Sequence, residues 1–191
     1  MVGQLDNTIT ITSNANDVLK NWSPYLKEYD PLKAGSIDGT DTEPHDKGIT
    51  RAINSHYQPP YNLKSYPSST LFVSKLNPKI TRQDLIQHFS TVGEVITAKI
   101  IVDVVTGQSM CYGFVEMATD DQAKRAIRNL NDTFCDGVKI FVDHELGRTM
   151  KNWKPRRLGG GFGGKKESGQ LRFGGKMRPF KKPIIPHFRN N

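Results

Sequence analysis

The sequence predicts an α+β fold for its central part, with the element order βαββαβ. Residues 71–76 and 110–117 alternate as β-strands do, and each run places aromatic side chains on one face. Residues 81–93 and 119–130 carry apolar side chains at helical spacing, so each of these strands is followed by a helix. The chain of 191 residues is long enough for one or two domains.

The first predicted helix has sequence signals at both ends. Thr81 and Asp84 predict a capping box, in which the threonine side chain accepts from a backbone N–H three residues on and Asp84 reaches back. Leu85 and Phe89 then lie one turn apart on the apolar face, and Gly93 closes the helix.

The second half of the domain repeats the pattern. Residues 94–102 are rich in β-branched side chains and predict a strand, and residues 103–109 form the loop into the run 110–117. Asp136-Gly137 predicts a turn into a last strand over residues 138–143. Two helices on one face of such a sheet give the ferredoxin-like arrangement, which leaves the other face open for a ligand.

Aromatic side chains gather on this open face. Phe72 points away from the core, Tyr112 and Phe114 share one face of their strand, and the last strand adds Lys139 and Phe141. Exposed rings on a water-facing sheet gain nothing unless something stacks on them, and the bases of single-stranded RNA do so. A peptide ligand, or rings that merely fill the sheet, are the alternatives.

The octamer of residues 110–117 resembles that of the RNA recognition motif family, which reads roughly [KR]-G-[FY]-[GA]-F-V-x-[FY]. The third to seventh positions, Tyr112 to Glu116, are kept. The first, second and eighth positions depart from the pattern, with Met110, Cys111 and Met117. The resemblance implies a ferredoxin-like domain that binds RNA on its rings, without the phosphate contact of a basic first residue.

The charge of the chain is concentrated at one end. Residues 1–147 hold 14 Lys and Arg against 18 Asp and Glu, a net of −4, whereas residues 148–191 hold 13 against one, a net of +12. Such a basic segment predicts a polyanion as partner. The two cysteines predict a reducing compartment, and no nucleophile–base set or metal-ligand spacing predicts an enzyme.

The segments that flank the domain have different compositions. The basic tail interleaves glycines with phenylalanines, which predicts a flexible chain that follows phosphates. The leading segment is rich in turn signals yet carries aromatic and aliphatic side chains, so it is either a disordered leader or an extended arm that orders on a partner. Residues 46–57 predict a short helix within it, and residues 1–20 are predicted to be mobile.

Residues 28–41, 148–161 and 165–175 closely resemble a family of proteins in the small nuclear ribonucleoproteins of the minor spliceosome, and the basic segment is similar to one in a U1-particle protein. The resemblance implies that the domain binds a hairpin loop of the U11 snRNA and that the arm meets other particle proteins, such as the Sm ring. It also implies a nuclear role in recognising minor-class 5′ splice sites. A general pre-mRNA-binding protein with the same motif is the alternative.

The sequence thus predicts three regions: a mostly extended arm and linker over residues 1–69, an RNA recognition motif over 70–147, and a basic RNA-binding tail over 148–191. No cofactor, metal or membrane contact is predicted. The predicted RNA-binding residues are Phe72, Lys75, Lys99, Tyr112, Phe114, Lys139, Phe141, Arg148, Lys151, Trp153, Lys154, Arg156 and Arg157. The predicted protein contacts of the arm are Tyr25, Tyr29, Leu32 and Ile37.

Overall fold

The computed structural model describes residues 22–184, which fall into two compact units. Residues 22–57 and 152–184 form one, called here the arm–tail unit, and residues 58–151 form the other, called the sheet unit. The predicted mobile segment 1–20 lies outside the described residues, as does the end of the predicted tail beyond residue 184.

The helices and strands follow the predicted order. The arm contains α1 (Pro31–Gly35) and α2 (Lys47–Asn54). The sheet unit contains β1 (Thr70–Ser74), α3 (Arg82–Ser90), β2 (Val95–Val102), β3 (Ser109–Met117), α4 (Asp120–Leu130), β4 (Phe134–Cys135), β5 (Val138–Lys139), β6 (Phe141–His144) and α5 (Leu146–Thr149).

The main sheet has four antiparallel strands in the order β2-β3-β1-β6. Helices α3 and α4 cover one face, and the core between helices and sheet is built from side chains such as Leu71, Val73, Leu85, Phe89 and Val115, all with no exposed surface. The predicted α+β, ferredoxin-like βαββαβ fold is confirmed.

Both long helices of the sheet unit begin where side-chain caps satisfy their first backbone N–H groups. Thr81 and Asp84 form the capping box at α3: the Asp84 N–H donates to Thr81 Oγ1 at 3.2 Å, and the Thr81 N–H donates to Asp84 Oδ2 at 2.9 Å. The Thr81 hydroxyl also donates to Asp84 Oδ2, at 2.7 Å, and this bond together with that from the Thr81 N–H holds the pKa of Asp84 below its usual value. Thr119 caps α4 with a single hydrogen bond, by accepting from the Gln122 N–H.

The last strand differs from the prediction of one run over residues 138–143. Lys139 pairs with Phe134 in the small β4–β5 hairpin, whose turn has left-handed backbone at Asp136 and Gly137. Ile140 then hydrogen-bonds back to Thr133 and Asp132, which interrupts the strand before β6 joins the main sheet. The run is therefore divided between two sheets.

The arm–tail unit differs from the predicted extended arm and flexible tail. Its two segments join through backbone hydrogen bonds: Leu26 N–H to Gly174 O, Phe173 N–H to Ala34 O, and Phe180 N–H to Pro24 O, each between 2.7 and 2.9 Å. The predicted arm could not bury a core alone, and here the tail supplies the other half of that core.

Three aromatic rings form the centre of this unit. The Tyr29 and Trp153 centroids are 5.0 Å apart, and Phe162 lies 5.4 Å from both, all in edge-to-face geometry. The Tyr29 hydroxyl donates to Gly161 O at 2.8 Å, and burial raises the pKa of this side chain well above its usual value. Tyr29 is only 2% exposed, so the arm contributes core residues rather than a free surface here.

A buried ion pair connects the arm to the tail. Arg172 has no exposed surface, and its guanidinium donates to both carboxylate oxygens of Asp46 at 2.8 and 3.0 Å and to Gly159 O at 2.9 Å. Asp46 also accepts the Ile49 N–H and caps α2. Burial opposes the ionisation of Asp46, but the hydrogen bonds from Arg172 and Ile49 outweigh it and hold the pKa of the carboxyl below its usual value.

The glycines of the tail allow close packing rather than flexibility. A Cβ on Gly159 would lie 2.0 Å from Gly48 O, and one on Gly164 would lie 2.4 Å from Gln170 O. Both glycines have left-handed backbone, at φ values of 89° and 88°. The glycine-rich composition of the tail, which predicts a flexible chain, therefore belongs to a compactly packed one.

Asp46→Ala should selectively destabilise the arm–tail unit. The substitution leaves the Arg172 guanidinium buried without its counter-ion, which costs roughly 3–5 kcal/mol in proteins. Both tryptophans of the chain, Trp22 and Trp153, belong to this unit, so tryptophan fluorescence during urea denaturation reports its unfolding alone. Glu43→Ala removes an exposed carboxylate from the same segment and should leave the transition unchanged; equal midpoints for the two variants would refute the role of the ion pair.

Candidate nucleic-acid interface

The open face of the main sheet carries the three predicted rings. Phe72 and Phe114 are directly paired across β1 and β3, and Ser74 pairs with Tyr112. The ring centroids lie 5.8 Å apart for Phe72 and Tyr112, 5.8 Å for Phe72 and Phe114, and 6.3 Å for Tyr112 and Phe114. All three side chains are partly exposed. We call this surface the ring face; its rings can stack on unpaired bases.

Three predicted lysines are exposed, two of them on or directly next to strands of the main sheet. Lys99 of β2 pairs directly with Phe114, and Lys75 follows the end of β1. Lys139 lies in the small hairpin, where its Nζ is 5.6 Å from the centroid of the Phe134 ring. Phe141 faces the ring side because it pairs with Ser74, but it is only 8% exposed. The structure thus makes Phe141 a poorer stacking surface than the three partly exposed rings.

The octamer backbone explains one kept position and one departure. A Cβ on Gly113 would lie 2.4 Å from Lys99 O, so β2 approaches too closely for a larger residue. Cys111, which replaces the glycine of the family pattern, has left-handed backbone at φ 59°. Its carbonyl accepts the Leu76 N–H at 3.0 Å, which fixes that conformation. A residue with a Cβ therefore occupies a conformation that favours glycine.

Arg148, a predicted RNA-binding residue, is engaged within the sheet unit. Its Nε donates to both carboxylate oxygens of Glu145, at 3.0 and 2.8 Å. Its Nη1 donates to Ser65 O at 2.6 Å, and its Nη2 donates to Ser65 Oγ at 2.8 Å and Thr70 Oγ1 at 3.2 Å. The side chain is 10% exposed. We call this set of contacts the Arg148 clasp, and it ties the segment before β1 to α5.

The other predicted cations of the tail divide into internal and exposed groups. Lys154 Nζ donates to Ser55 O, and Arg156 donates to Gln170 O at 2.6 Å and Phe162 O at 2.8 Å. Trp153 belongs to the aromatic centre described above. Arg157 and Lys151 are exposed, the former with its guanidinium 5.8 Å from the Tyr57 ring centroid.

The predicted protein contacts of the arm divide in the same way. Tyr29 is a core residue and Leu32 is half-buried, so neither presents a full side chain. Tyr25 and Ile37 are 49% and 54% exposed. Of the four residues, these two offer the larger accessible side chains.

Sequence reasoning missed two residues at the border of the ring face. The Tyr66 N–H donates to Glu116 Oε1 at 2.8 Å, and Thr70 Oγ1 donates to Tyr66 O at 2.6 Å. Glu116 is 8% exposed, whereas Tyr66 is 74% exposed. An aromatic residue directly before Pro67, at the entrance to β1, is the signal that could have drawn attention to it.

The part of the chain that the structure describes contains no helix long and apolar enough to cross a membrane. Over residues 22–184, no three His, Cys, Asp or Glu side chains are grouped so as to hold a metal ion.

Comparison with known proteins relates this chain to a family. A family model described as the RNA recognition motif matches residues 71–140. The chain is 49% identical over 177 residues to the U11/U12 small nuclear ribonucleoprotein 35 kDa protein of Xenopus laevis, with 91% of this chain and 65% of that protein covered. It is 52% identical over 163 residues to the protein of the same name from Danio rerio, with 85% and 78% covered.

A more distant relative comes from another particle. The U1 small nuclear ribonucleoprotein 70 kDa of Arabidopsis thaliana is 32% identical over 138 residues, with 70% of this chain and 32% of that protein covered. The chain therefore spans less than two thirds of the length of this relative and of the Xenopus one.

Cys111→Gly should raise the free energy of unfolding of the sheet unit by roughly 0.5–1 kcal/mol. Removing the Cβ from a residue with left-handed backbone stabilises the folded state by about 1–2 kcal/mol. The greater conformational freedom of glycine in the unfolded chain offsets roughly half of this gain. Urea denaturation followed by circular dichroism measures the change. Met110→Gly is the matched control because Met110 lies outside the left-handed region, and it should be destabilising; an equal loss in both variants would contradict the prediction.

Proposed function

Because the chain belongs to the family of U11/U12 small nuclear ribonucleoprotein 35 kDa proteins, we propose that it is an RNA-binding component of the minor spliceosome that binds a hairpin loop of the U11 snRNA. In this role it acts in the nucleus and supports the recognition of minor-class 5′ splice sites and the splicing of their introns. The protein binds RNA rather than catalysing a reaction.

The observation that carries the proposal is the ring face. Three partly exposed rings lie within 5.8 to 6.3 Å of one another on a sheet face that the helices do not cover. Unpaired bases of a hairpin loop can stack on such rings, whereas a duplex offers its bases only at their edges. A loop is therefore the part of a hairpin that this surface fits.

Exposed cations provide the phosphate contacts. Within the predicted set these are Lys75, Lys99, Lys139, Lys151 and Arg157. Arg148, Lys154 and Arg156 are engaged in internal hydrogen bonds, and Trp153 is part of a core, so their contribution to RNA binding is indirect, through the fold. The attraction of the tail for RNA is consequently smaller than its formal charge suggests.

The arm–tail unit provides the surface for neighbouring particle proteins, with the Sm ring as the expected partner. Of the four predicted contacts on the arm, Tyr25 and Ile37 are exposed. Their partner meets a folded unit rather than an extended arm, because Tyr29 and Ala34 are already buried.

A general pre-mRNA-binding role would use the same rings. Crosslinking in cells, followed by sequencing of the bound RNA, separates the two functions. Enrichment of the U11 snRNA at its 5′ hairpin supports the proposal, and a broad distribution over introns and exons overturns it.

Phe114→Ala should weaken binding of the U11 5′ hairpin by roughly ten-fold or more, because a base–aromatic stack contributes about 1–3 kcal/mol. The side chain lies outside the core, so the melting temperature should change little. Phe114→Tyr keeps the ring and should keep the affinity. Fluorescence-anisotropy titration measures all three proteins; unchanged affinity for Phe114→Ala would mean that RNA does not lie on the ring face.

Lys99→Gln should flatten the salt dependence of hairpin binding. Each lost phosphate contact changes the slope of log affinity against log salt by about 0.7–0.9. Lys124→Gln removes an exposed charge from α4, on the covered side of the sheet, and should leave the slope unchanged. Titrations between 50 and 200 mM salt, roughly the range over which such contacts are lost, make the comparison. Equal slopes for the two variants would exclude Lys99 from the interface.

A further inference from the structure

The backbone of Tyr66 is anchored on the ring face itself. Both of its anchors come from side chains on that face: Glu116 shares a face of β3 with Tyr112 and Phe114, and Thr70 shares a face of β1 with Phe72. Glu116 accepts the Tyr66 N–H, and Thr70 donates to the Tyr66 carbonyl. The peptide of Tyr66 therefore crosses the end of the ring face.

The position of this anchor relative to the rings follows from the strand register. Thr70 pairs with Glu116, and the next pair on the same face is Phe72 with Phe114. Two residues along a strand span about 7 Å. Tyr66 is thus held next to the Phe72–Phe114 pair, one row of side chains further along the sheet.

The segment on both sides of Tyr66 is fixed as well. The Arg148 clasp holds the carbonyl and hydroxyl of Ser65, and its Nη2 also reaches Thr70 Oγ1. Pro67 follows and begins a 3₁₀ turn, in which φ is set by the ring of the proline. The anchored backbone contrasts with the side chain, which is 74% exposed.

We propose that Tyr66 is a fourth stacking side chain, so that the ring face binds one more nucleotide of the RNA loop. A rigid backbone and an exposed ring suit this role, because the ordering cost of a stacking residue falls when its backbone is fixed before binding. The inference rests on the proposed function, since it needs RNA on the ring face.

This arrangement also explains an acidic residue on an RNA-binding surface. A carboxylate that faced the RNA would repel phosphates. Glu116 is 8% exposed and has the Tyr66 N–H as its partner, so it acts as a positioning residue for Tyr66. Arg148 has a related positioning role through Ser65.

The test compares Tyr66→Ala and Tyr66→Phe with Tyr61→Ala, using the full chain and the U11 5′ hairpin as the probe. Tyr61 is the matched control: it is a fully exposed tyrosine five residues earlier, and the hydrogen bonds described for the sheet unit do not anchor it to the ring face. We expect Tyr66→Ala to weaken binding roughly ten-fold, and Tyr66→Phe and Tyr61→Ala to bind like the natural chain.

A second measurement does not depend on affinity. In the chain with isotope-labelled tyrosine, the ring protons of Tyr66 should shift upfield when hairpin is added, as they do under a stacked base, and those of Tyr61 should not. If Tyr66→Ala lowers the melting temperature, the ring-proton shifts and the Tyr66→Phe variant still decide whether the ring stacks on a base.

The outcomes distinguish failure of this inference from failure of the proposed function on which it rests. If Phe114→Ala weakens binding while Tyr66→Ala matches Tyr61→Ala and the Tyr66 ring does not shift, the fourth stacking position is overturned and the ring face stands. If the natural chain does not bind the hairpin, or if Phe114→Ala binds it unchanged, both proposals are overturned.

Discussion

β1 and β3 pair in a register that sets Phe72 against Phe114, and every feature of the ring face depends on it. The same register places Lys99 beside Phe114 through β2 and brings Thr70 and Glu116 together under the Tyr66 backbone. A slip by one residue would turn the rings into the core and expose Leu71, as the side-chain period of a strand is two. The apolar face that packs on α3 and α4 therefore fixes the geometry of the opposite face.

The arginines show why charge in a sequence differs from charge available to a ligand. Arg148, Arg156 and Arg172 all belong to the basic C-terminal segment, and each directs its guanidinium to internal oxygens. Arginine suits such positions because its planar fork satisfies several acceptors at once and keeps its charge. The segment thus uses part of its positive charge to hold its own fold.

The sequence was sufficient to predict the first three strands of the sheet, its two helices and the three rings, because these rest on local patterns: alternation, helical spacing and the Thr81–Asp84 cap. The arm–tail unit could not be predicted in this way. Asp46 and Arg172 are 126 positions apart, and no local pattern pairs them. A glycine-rich segment fits a flexible chain and a tightly packed one equally well, and only the partner backbone, such as Gly48 against Gly159, distinguishes the two. Tyr66 was not predicted as part of the ring face because nothing in the sequence links it to Glu116 and Thr70, the residues that anchor it there.

The arm–tail unit is assembled from the two ends of the described chain, with residues 58–151 inserted between them. During synthesis the arm leaves the ribosome first but lacks its other half until the tail follows. At about 5–20 residues per second the inserted unit alone takes roughly 5 to 20 s to make. The apolar side chains of the arm, such as Tyr29 and Ile49, stay without their native neighbours for that time. A chain that ended after the sheet unit would thus carry an arm without the segment that completes its core.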